Sequence, residues 1–293
     1  MKVVIGIPAF NEEKNIGPIV VKLKKLSYSI IVCNDGSSDM TGEIAKELGA
    51  IIIDHPKNLG YGAAIRSIFT KAADLDYDVL VTFDADGQHR TSDIKSVLKP
   101  IENNEADIVV GSRFSSGDSS EVPKYRKIGI KAITTLANTA SGSKITDAQS
   151  GFRAYNKKSI HEIIPSDTGM GVSTEILIKA NKKNLRIVEV PITVLYGRDT
   201  STHNPASHGV SVIMSTMKFI SIEHPLKFYG IPGIIFLIVG LFFVIWTIQG
   251  FSETRQIITN ISLIGIGTTL FGVILITSAI MLYSVVSVIR EKR

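Results

Sequence analysis

The chain has 293 residues, 44% of them hydrophobic and 20% charged, with a formal net charge of +5. That length admits one large domain or two small ones, and a charge so small and diffuse gives no argument for a nucleic-acid partner. The single cysteine, Cys33, excludes a disulfide framework within the chain and, set in an apolar run, reads as a small buried side chain.

Met1 and Lys2 lead straight into strand-like residues without a signal-peptide pattern, so the N-terminal part is expected to stay on the cytoplasmic side. Short β-rich runs follow: VVIGIPAF, SIIVCND, AIIIDH, DVLVTFDAD and ADIVVGSRF. Helix-like stretches alternate with them: EEKNIGPIVVKLKKL, TGEIAKEL, GAAIRSIFTKAA and TSDIKSVLKPI. Alternation with short connections predicts an α/β domain with a mostly parallel sheet, expected over residues 1–205. Ligands of such sheets bind beyond the carboxyl ends of the strands. Polar motifs fall there: Asn11 and Glu12 after the first run, Asn34 and Asp35 after the second, Asp84 and Asp86 after the fourth.

The mean hydropathy of +0.23 is high for a soluble chain, and the excess lies in the last quarter. No charge occurs from Phe228 to Ser252, nor from Gln256 to Ile289. Each run is as long as the roughly 20 residues a bilayer requires. Transmembrane helices are expected at 228–252 and 257–289, antiparallel because so few residues separate them, with an amphipathic juxtamembrane segment at 206–227. Lys218 and Lys227 precede the hairpin and Arg290, Lys292 and Arg293 follow it, whereas its tip carries Arg255 as the one basic residue. The positive-inside rule then places both termini in the cytoplasm. A two-span hairpin buries little surface of its own, which leaves a homo-oligomer open.

The motif DADGQH admits three readings. An EF-hand loop fails, because its sixth and twelfth positions hold His89 and Lys95 rather than Gly and Glu. A structural reading has Asp84 capping a turn and Asp86 the next helix. A hard-cation reading has Asp84 and Asp86, with Gln88, holding Mg²⁺ or Mn²⁺ together with substrate phosphates, His89 being divided between this site and a helix cap. The cation would then relieve the repulsion between the two acids. In NLGYGAAI, Gly60 and Gly62 precede a helix and suggest backbone N–H groups open to a phosphate. The third position of a dinucleotide fingerprint is Ile65, and no Walker A motif occurs.

IPAFNEEKNI, VCNDGSSDMT, NLGYGAAI, FDADGQH, VVGSRF and DAQSGFRAY occur in that order. Together they resemble the inverting family 2 glycosyltransferases of the GT-A nucleotide-sugar-binding fold. The two C-terminal spans make the chain similar to the polyprenyl-phosphate hexosyltransferases, relatives of dolichyl-phosphate mannose and glucose synthases. The resemblance implies that Pro8, Phe10, Glu12, Asp35 and Ser37 line the nucleotide pocket, with Gly60 in its glycine-rich loop. It implies Asp84 at the nucleotide–metal junction, Asp86 as principal metal ligand and Gln88 in support. It implies Arg113 and Arg126 at the acceptor phosphate, and Gln149 and Ser150 nearest the sugar. Arg153 is divided between the site and a structural ion pair.

The expected reaction moves a hexose from a nucleotide sugar to a polyprenyl phosphate at the cytoplasmic face. A lipid monophosphate, with a second pKa of roughly 6 like other phosphate monoesters, needs no strong general base. Basic residues Lys124, Arg126, Lys127, Lys131 and Lys144, with Tyr125, Ile128, Ala132 and Leu136 near helical spacing, suggest a helix at the membrane surface. The family's mannose synthases carry a basic loop after the EVPI strand. Here the stretch is YGRDTSTHNPASHG, in which Arg198 takes that role and His203 and His208 have no assignment. This departure favours UDP-glucose or a UDP-N-acetylhexosamine, with GDP-mannose as the alternative donor. A hydroxyl acceptor would need an acid as base, for which Asp147 and Glu175 are the candidates. A non-catalytic membrane scaffold is the reading from another class, against which Asp84, Asp86, Arg113 and the SGFR segment all stand.

Overall fold

A computed structural model describes residues 1–115, 124–141, 144–194, 214, 217, 221–222, 224–256 and 258–291. The chain divides into two units, Met1–Thr216 and Met217–Arg293. The loop carrying Arg198, His203 and His208 lies outside the described residues, as does most of the 206–227 segment.

The first unit runs β1 (Val3–Ala9), α1 (Glu13–Lys25), β2 (Ser29–Asn34), α2 (Thr41–Glu47), β3 (Ile51–Asp54), α3 (Tyr61–Asp74), β4 (Val79–Thr82), α4 (Ile94–Glu102) and β5 (Ile108–Ser112). It continues with α5 (Lys124–Ser141), β6 (Arg153–Asn156), α6 (Lys157–Glu162), α7 (Val172–Lys182) and β7 (Ile187–Pro191). The strands form one seven-stranded sheet in the order β3-β2-β1-β4-β6-β5-β7. All pairings are parallel except those of β6, which runs antiparallel to both β4 and β5.

Side chains of successive strand residues leave on opposite faces, and the core shows that period. Val4, Ile31, Cys33, Leu80, Ile108, Val110 and Tyr155 pack with α3 and α7 residues such as Ile68 and Ile176. Ile5, Ile7, Ile30, Val32, Val79, Val81 and Val109 pack on the other side with Ile16, Leu23, Ile94 and Val97 of α1 and α4. Gly6 has to be glycine, because a Cβ there would stand 2.3 Å from Cγ2 of Ile68 and push α3 off the sheet. The strand order turns around between β1 and β4, and the loops leaving their carboxyl ends carry Phe10–Glu12 and Asp84–Gln88. That is the position at which open α/β sheets leave a crevice for ligands.

In α5 the buried stripe is Ile130, Ile133, Thr134 and Ala137. The side chains of Tyr125, Ile128, Ala132 and Leu136, expected on one face from their spacing, lie outside the described residues, as does that of Arg126.

The second unit is a hairpin of α8 (Ile231–Thr254), preceded by a π-helical turn at Leu226–Gly230, and α9 (Thr259–Glu291). The segments Leu226–Glu253 and Thr259–Val288 have mean hydropathies of 2.6 and 2.2 over lengths of 28 and 30 residues, enough to cross a membrane. Glycines let the two backbones approach: a Cβ on Gly240 would meet Thr269 N at 2.5 Å, and one on Gly272 would meet Leu237 N at 2.6 Å. Hydroxyls of Thr247, Thr268, Thr277 and Ser284 return to carbonyls one turn back, so these polar groups need no partner from lipid. Ile238, Met281 and Leu263 point outward and more than half exposed, presenting the apolar surface that a bilayer would cover.

Candidate active site

The loops after β1 and β2 are bound into one frame by side-chain-to-backbone hydrogen bonds. Asn11 N donates to Ser37 Oγ at 3.0 Å, Ser38 N to Asn11 Oδ1 at 2.9 Å, and Ser37 N to Asn34 Oδ1 at 3.1 Å. Glu12 N donates to Thr41 Oγ1 at 2.7 Å, fixing the start of α1 against that of α2. Pro8 is buried at the end of β1, and Phe10 stands 38% exposed just beyond it.

Asp35, 3% exposed, organises the third loop. Its carboxylate accepts Leu59 N at 3.0 Å, Gly60 N at 2.9 Å and the His55 ring at 2.6 Å. One residue on, the Tyr61 hydroxyl donates to Asp84 Oδ1 at 3.0 Å. Residues 59–61 therefore join the acid at the end of β2 to the acid beyond β4. Burial first, and then the charge of Asp84, pushes the Tyr61 hydroxyl far above its usual pKa, so it remains a proton donor. The expectation that Gly60 and Gly62 offer open N–H groups to a phosphate is corrected here. Gly60 N goes to Asp35 and Gly62 N to Thr168 O at 2.9 Å. These residues are glycine because the backbone at 167–169 lies against them: a Cβ would fall 2.3 Å from Thr168 O at Gly60 and 2.2 Å from Asp167 O at Gly62.

Asp84 and Asp86 occupy the turn after β4. Asp84 Oδ2 faces His89 Nε2 at 3.2 Å, and Asp86 Oδ1 accepts Gln88 N at 3.0 Å. Burial opposes the charge on Asp84, but the hydrogen bond and charge of His89, the Tyr61 hydroxyl and the charge of Arg113 outweigh it and lower its pKa. Asp86 goes the other way. Burial, then Asp84, with a smaller push from Glu12, raises its carboxyl to about 6. A partly buried carboxylate crowded by like charge is a site that a divalent cation would relieve. No group of three or more His, Cys, Asp or Glu side chains able to hold an ion occurs among the described residues. The two acids and Gln88 supply hard oxygen ligands but not a complete cage. That fits an ion of the Mg²⁺ type, which keeps positions for water and substrate phosphates.

The 147–153 segment closes over this turn. Thr82 Oγ1 donates to Gly151 O at 2.6 Å. A Cβ on Gly151 would lie 2.6 Å from both Asp84 Oδ2 and Tyr61 Oη. Gly151→Ala should therefore displace the Asp84 carboxylate and lower kcat about tenfold or more, as misplacement of a reacting group by an ångström does. Steady-state rates measured beside a thermal melt check this, with the melting temperature expected to move little. Arg153 is 1% exposed and makes no ion pair among the described residues; its guanidinium donates to the carbonyls of Ala148, Ser150 and Ser173. It holds the loop in shape from behind. Ser150 is buried, and its Oγ has no partner among the described residues. Gln149 is half-buried beside it.

Arg113, just after β5, meets Asp147 in a two-pronged pair: Nε to Oδ2 at 2.6 Å and Nη2 to Oδ1 at 2.7 Å. Asp147 is fully buried while the Arg113 side chain keeps 19% exposure. Glu189 of β7 accepts Thr146 N at 2.8 Å and Asp147 N at 3.0 Å, which fixes the loop that presents Asp147. Glu175 is buried too and is consumed by Ser166, Asp167 N and Lys179. Neither acid nominated as a general base is free for that work. The contributions of Tyr61, His55, Thr82 and Glu189 have no signature in the sequence.

A family model described as "Glycosyl transferase family 2" matches residues 4–164, more than half of the chain. The chain belongs to glycosyl transferase family 2. Among curated relatives of this glycosyltransferase is the UDP-N-acetylglucosamine–dolichyl-phosphate N-acetylglucosaminyltransferase of Methanococcus voltae, 37% identical over 65% of this chain and 84% of that protein. The dolichyl-phosphate hexose transferase of Haloferax volcanii is 30% identical over 78% of this chain and 96% of its own. Among solved structures, glucosyl-3-phosphoglycerate synthase of Mycobacterium tuberculosis in complex with Mn²⁺, UDP and phosphoglyceric acid superposes with a TM-score of 0.58. That match has 19% identity and covers 75% of this chain and 78% of the synthase, which establishes the GT-A fold.

Proposed function

We propose that this glycosyltransferase moves glucose or an N-acetylhexosamine from its UDP donor to a polyprenyl phosphate of the dolichyl type, inverting the anomeric centre, at the cytoplasmic face of a membrane. The observation that carries the choice of acceptor is the occupation of Asp147 and Glu175. A hydroxyl acceptor needs a base, and both candidate bases are tied to other groups. A lipid phosphate is already ionised near neutral pH, so positioning and charge stabilisation suffice. The names of the Methanococcus and Haloferax relatives support the same acceptor, and the UDP in the former's name supports the donor.

In this reading a lipid phosphate oxygen attacks C1 of the sugar while the bond from C1 to the diphosphate oxygen breaks, and UDP leaves. Asp35 and Ser37 bind the nucleoside end, and Asp84, Asp86 and Gln88 would hold a divalent ion. Such an ion would supply Lewis-acid stabilisation of the leaving phosphates. Arg113, aimed by Asp147, receives the lipid phosphate together with Arg126. Gln149 and Ser150 face the sugar. In this reading the hairpin anchors the enzyme, and the basic residues flanking it support a cytoplasmic location for both ends, where nucleotide sugars are available.

The test uses the purified full chain in detergent with Mn²⁺ or Mg²⁺ and a short polyprenyl phosphate. UDP-glucose, UDP-N-acetylglucosamine and GDP-mannose are offered in parallel, and glycosylated lipid phosphate is detected by mass spectrometry. Product from a UDP donor is expected. Product from GDP-mannose alone would overturn the donor, and transfer to a lipid hydroxyl would overturn the acceptor.

A further inference from the structure

Behind Asp35, the acid assigned above to the nucleoside end, runs an acid–imidazole–hydroxyl chain through two residues not yet given a role, His55 and Ser67. Asp35 leaves the end of β2, His55 the end of β3, and Ser67 lies on α3. His55 Nδ1 stands 2.6 Å from Asp35 Oδ1, and Nε2 stands 2.9 Å from Ser67 Oγ and 3.6 Å from Cys33 Sγ. The His55 side chain is 9% exposed and that of Asp35 5%.

These contacts define one tautomer. Nδ1 faces a carboxylate, so it carries the hydrogen and donates it. Nε2 then accepts, and its two neighbours can both donate. Burial, followed by the charges of Asp35 and Asp54, pushes the Cys33 thiol up to about 12, so the sulfur keeps its hydrogen and turns it toward the ring. The arrangement has the outline of a hydrolytic triad, with the Ser67 hydroxyl engaged by the ring.

The carboxylate has four acceptor positions. Leu59 N, Gly60 N and His55 Nδ1 fill three of them, two on Oδ1 and one on Oδ2. One position on Oδ2 is left. Gly36 brings the chain back over this point; a Cβ there would lie 2.3 Å from the Lys57 carbonyl carbon, so the loops at 35–37 and 55–60 interlock around the carboxylate. Asp35 is thereby held in one rotamer with a single lone pair left to offer. Its match is a ring N–H set between carbonyls, as a uracil base presents.

Resting on the nucleotide-sugar reading above, we propose that His55 is a positioning residue for donor recognition, clamping the Asp35 carboxylate from behind so that its remaining lone pair meets the N–H of the nucleobase. His55 touches neither sugar nor phosphate. Its removal therefore weakens binding of the nucleotide and leaves the transfer step alone. Asparagine at the same place keeps an N–H near the position of Nδ1 and restores much of the clamp.

The experiment compares wild type, His55→Leu, His55→Asn and Ser67→Ala as full-length protein in detergent. It measures KM for the UDP-sugar, kcat, and the dissociation constant of UDP with Mn²⁺ by calorimetry. His55→Leu should raise KM and the UDP dissociation constant about tenfold, the worth of one hydrogen bond to a charged group, with kcat within about twofold. His55→Asn should recover most of that loss, and Ser67→Ala should show a smaller rise in the same direction. Ser67 is half-buried on the helix surface, so the alanine variant remains informative where leucine at position 55 prevents folding. Unchanged UDP affinity in the folded variants overturns the proposal, as does a fall in kcat at constant KM. A wild-type enzyme that transfers sugar from a donor other than a UDP-sugar and does not bind UDP refutes the nucleotide reading itself, a result distinct from a variant that binds UDP as wild type does.

Discussion

Asp86→Asn should abolish sugar transfer and at the same time make the metal-free protein more stable. The loss of activity follows from removing one of the two carboxylates available to the cation. Several kilocalories of charge stabilisation at the leaving diphosphate go with it, so a fall in kcat of about a thousandfold is expected. The gain in stability follows from the raised carboxyl. With its folded pKa at about 6 rather than the ordinary 3.8, Asp86 binds its proton more tightly in the native state than in the unfolded one. Native stability therefore falls as pH rises from about 4 to about 6, and the penalty persists at neutral pH. The shift would be worth about 3 kcal/mol if wholly desolvated, and partial exposure of the side chain reduces it to about 1–2 kcal/mol. An amide carries no charge and avoids that penalty. Thermal unfolding in EDTA should show Asp86→Asn melting above wild type at pH 7.5, with the difference gone at pH 4. An equal or lower melting temperature at pH 7.5 would show that the two acids do not strain each other in the empty site. The pattern is that of a functional site kept at the expense of stability.

The parts of this site that the sequence exposes are those set by local pattern. Alternating apolar runs mark the strands from β1 to β5, and the polar residues that end them, Glu12, Asp35, Asp84 and Asp86, stand where an α/β sheet places its ligands. The two apolar helices are legible because each charge-free run has the length that a bilayer requires. The relations between those residues are not local. Arg113 and Asp147 are separated by 34 residues, and Tyr61 and Asp84 by 23. Arg113 and Asp147 meet where β6, a four-residue strand too short to show a period, follows Asp147 into the sheet antiparallel to β5. Glycines misled in a related way. Gly60 and Gly62 signal close approach of backbone, and the spacing suggests a phosphate, yet the backbone that approaches is the chain's own at 167–169. Arg153 shows the same limit. A guanidinium satisfied by three carbonyls looks, in sequence, like one waiting for an anion.

Arg113→Lys should cost kcat/KM for the lipid phosphate at least about a hundredfold while changing KM for the nucleotide sugar little, because lysine keeps the charge but loses the planar fork. In the native pair, Nε and Nη2 engage both oxygens of Asp147, which fixes the plane of the guanidinium. The charge of Arg113 also reaches Asp84, so the cation that would meet the acceptor lies on the same side of the site as the carboxylates that would hold the leaving group. An ammonium at this place would meet Asp147 as a point charge and present no defined face to a phosphate. Asp147→Asn tests the aiming separately. It keeps the shape of the partner, removes its charge and leaves the guanidinium of a partly buried pair uncompensated, so about 3 kcal/mol of stability should be lost. Its kcat/KM for the lipid phosphate should fall between those of wild type and Arg113→Lys. Initial rates at varied acceptor and saturating donor, then at varied donor and saturating acceptor, separate the two substrates. A Lys variant with wild-type acceptor kinetics would remove Arg113 from the acceptor site. A loss felt equally in the nucleotide-sugar KM would assign the arginine to the diphosphate instead. If Asp147→Asn retains full acceptor affinity at reduced stability, Asp147 only buries the arginine and does not aim it.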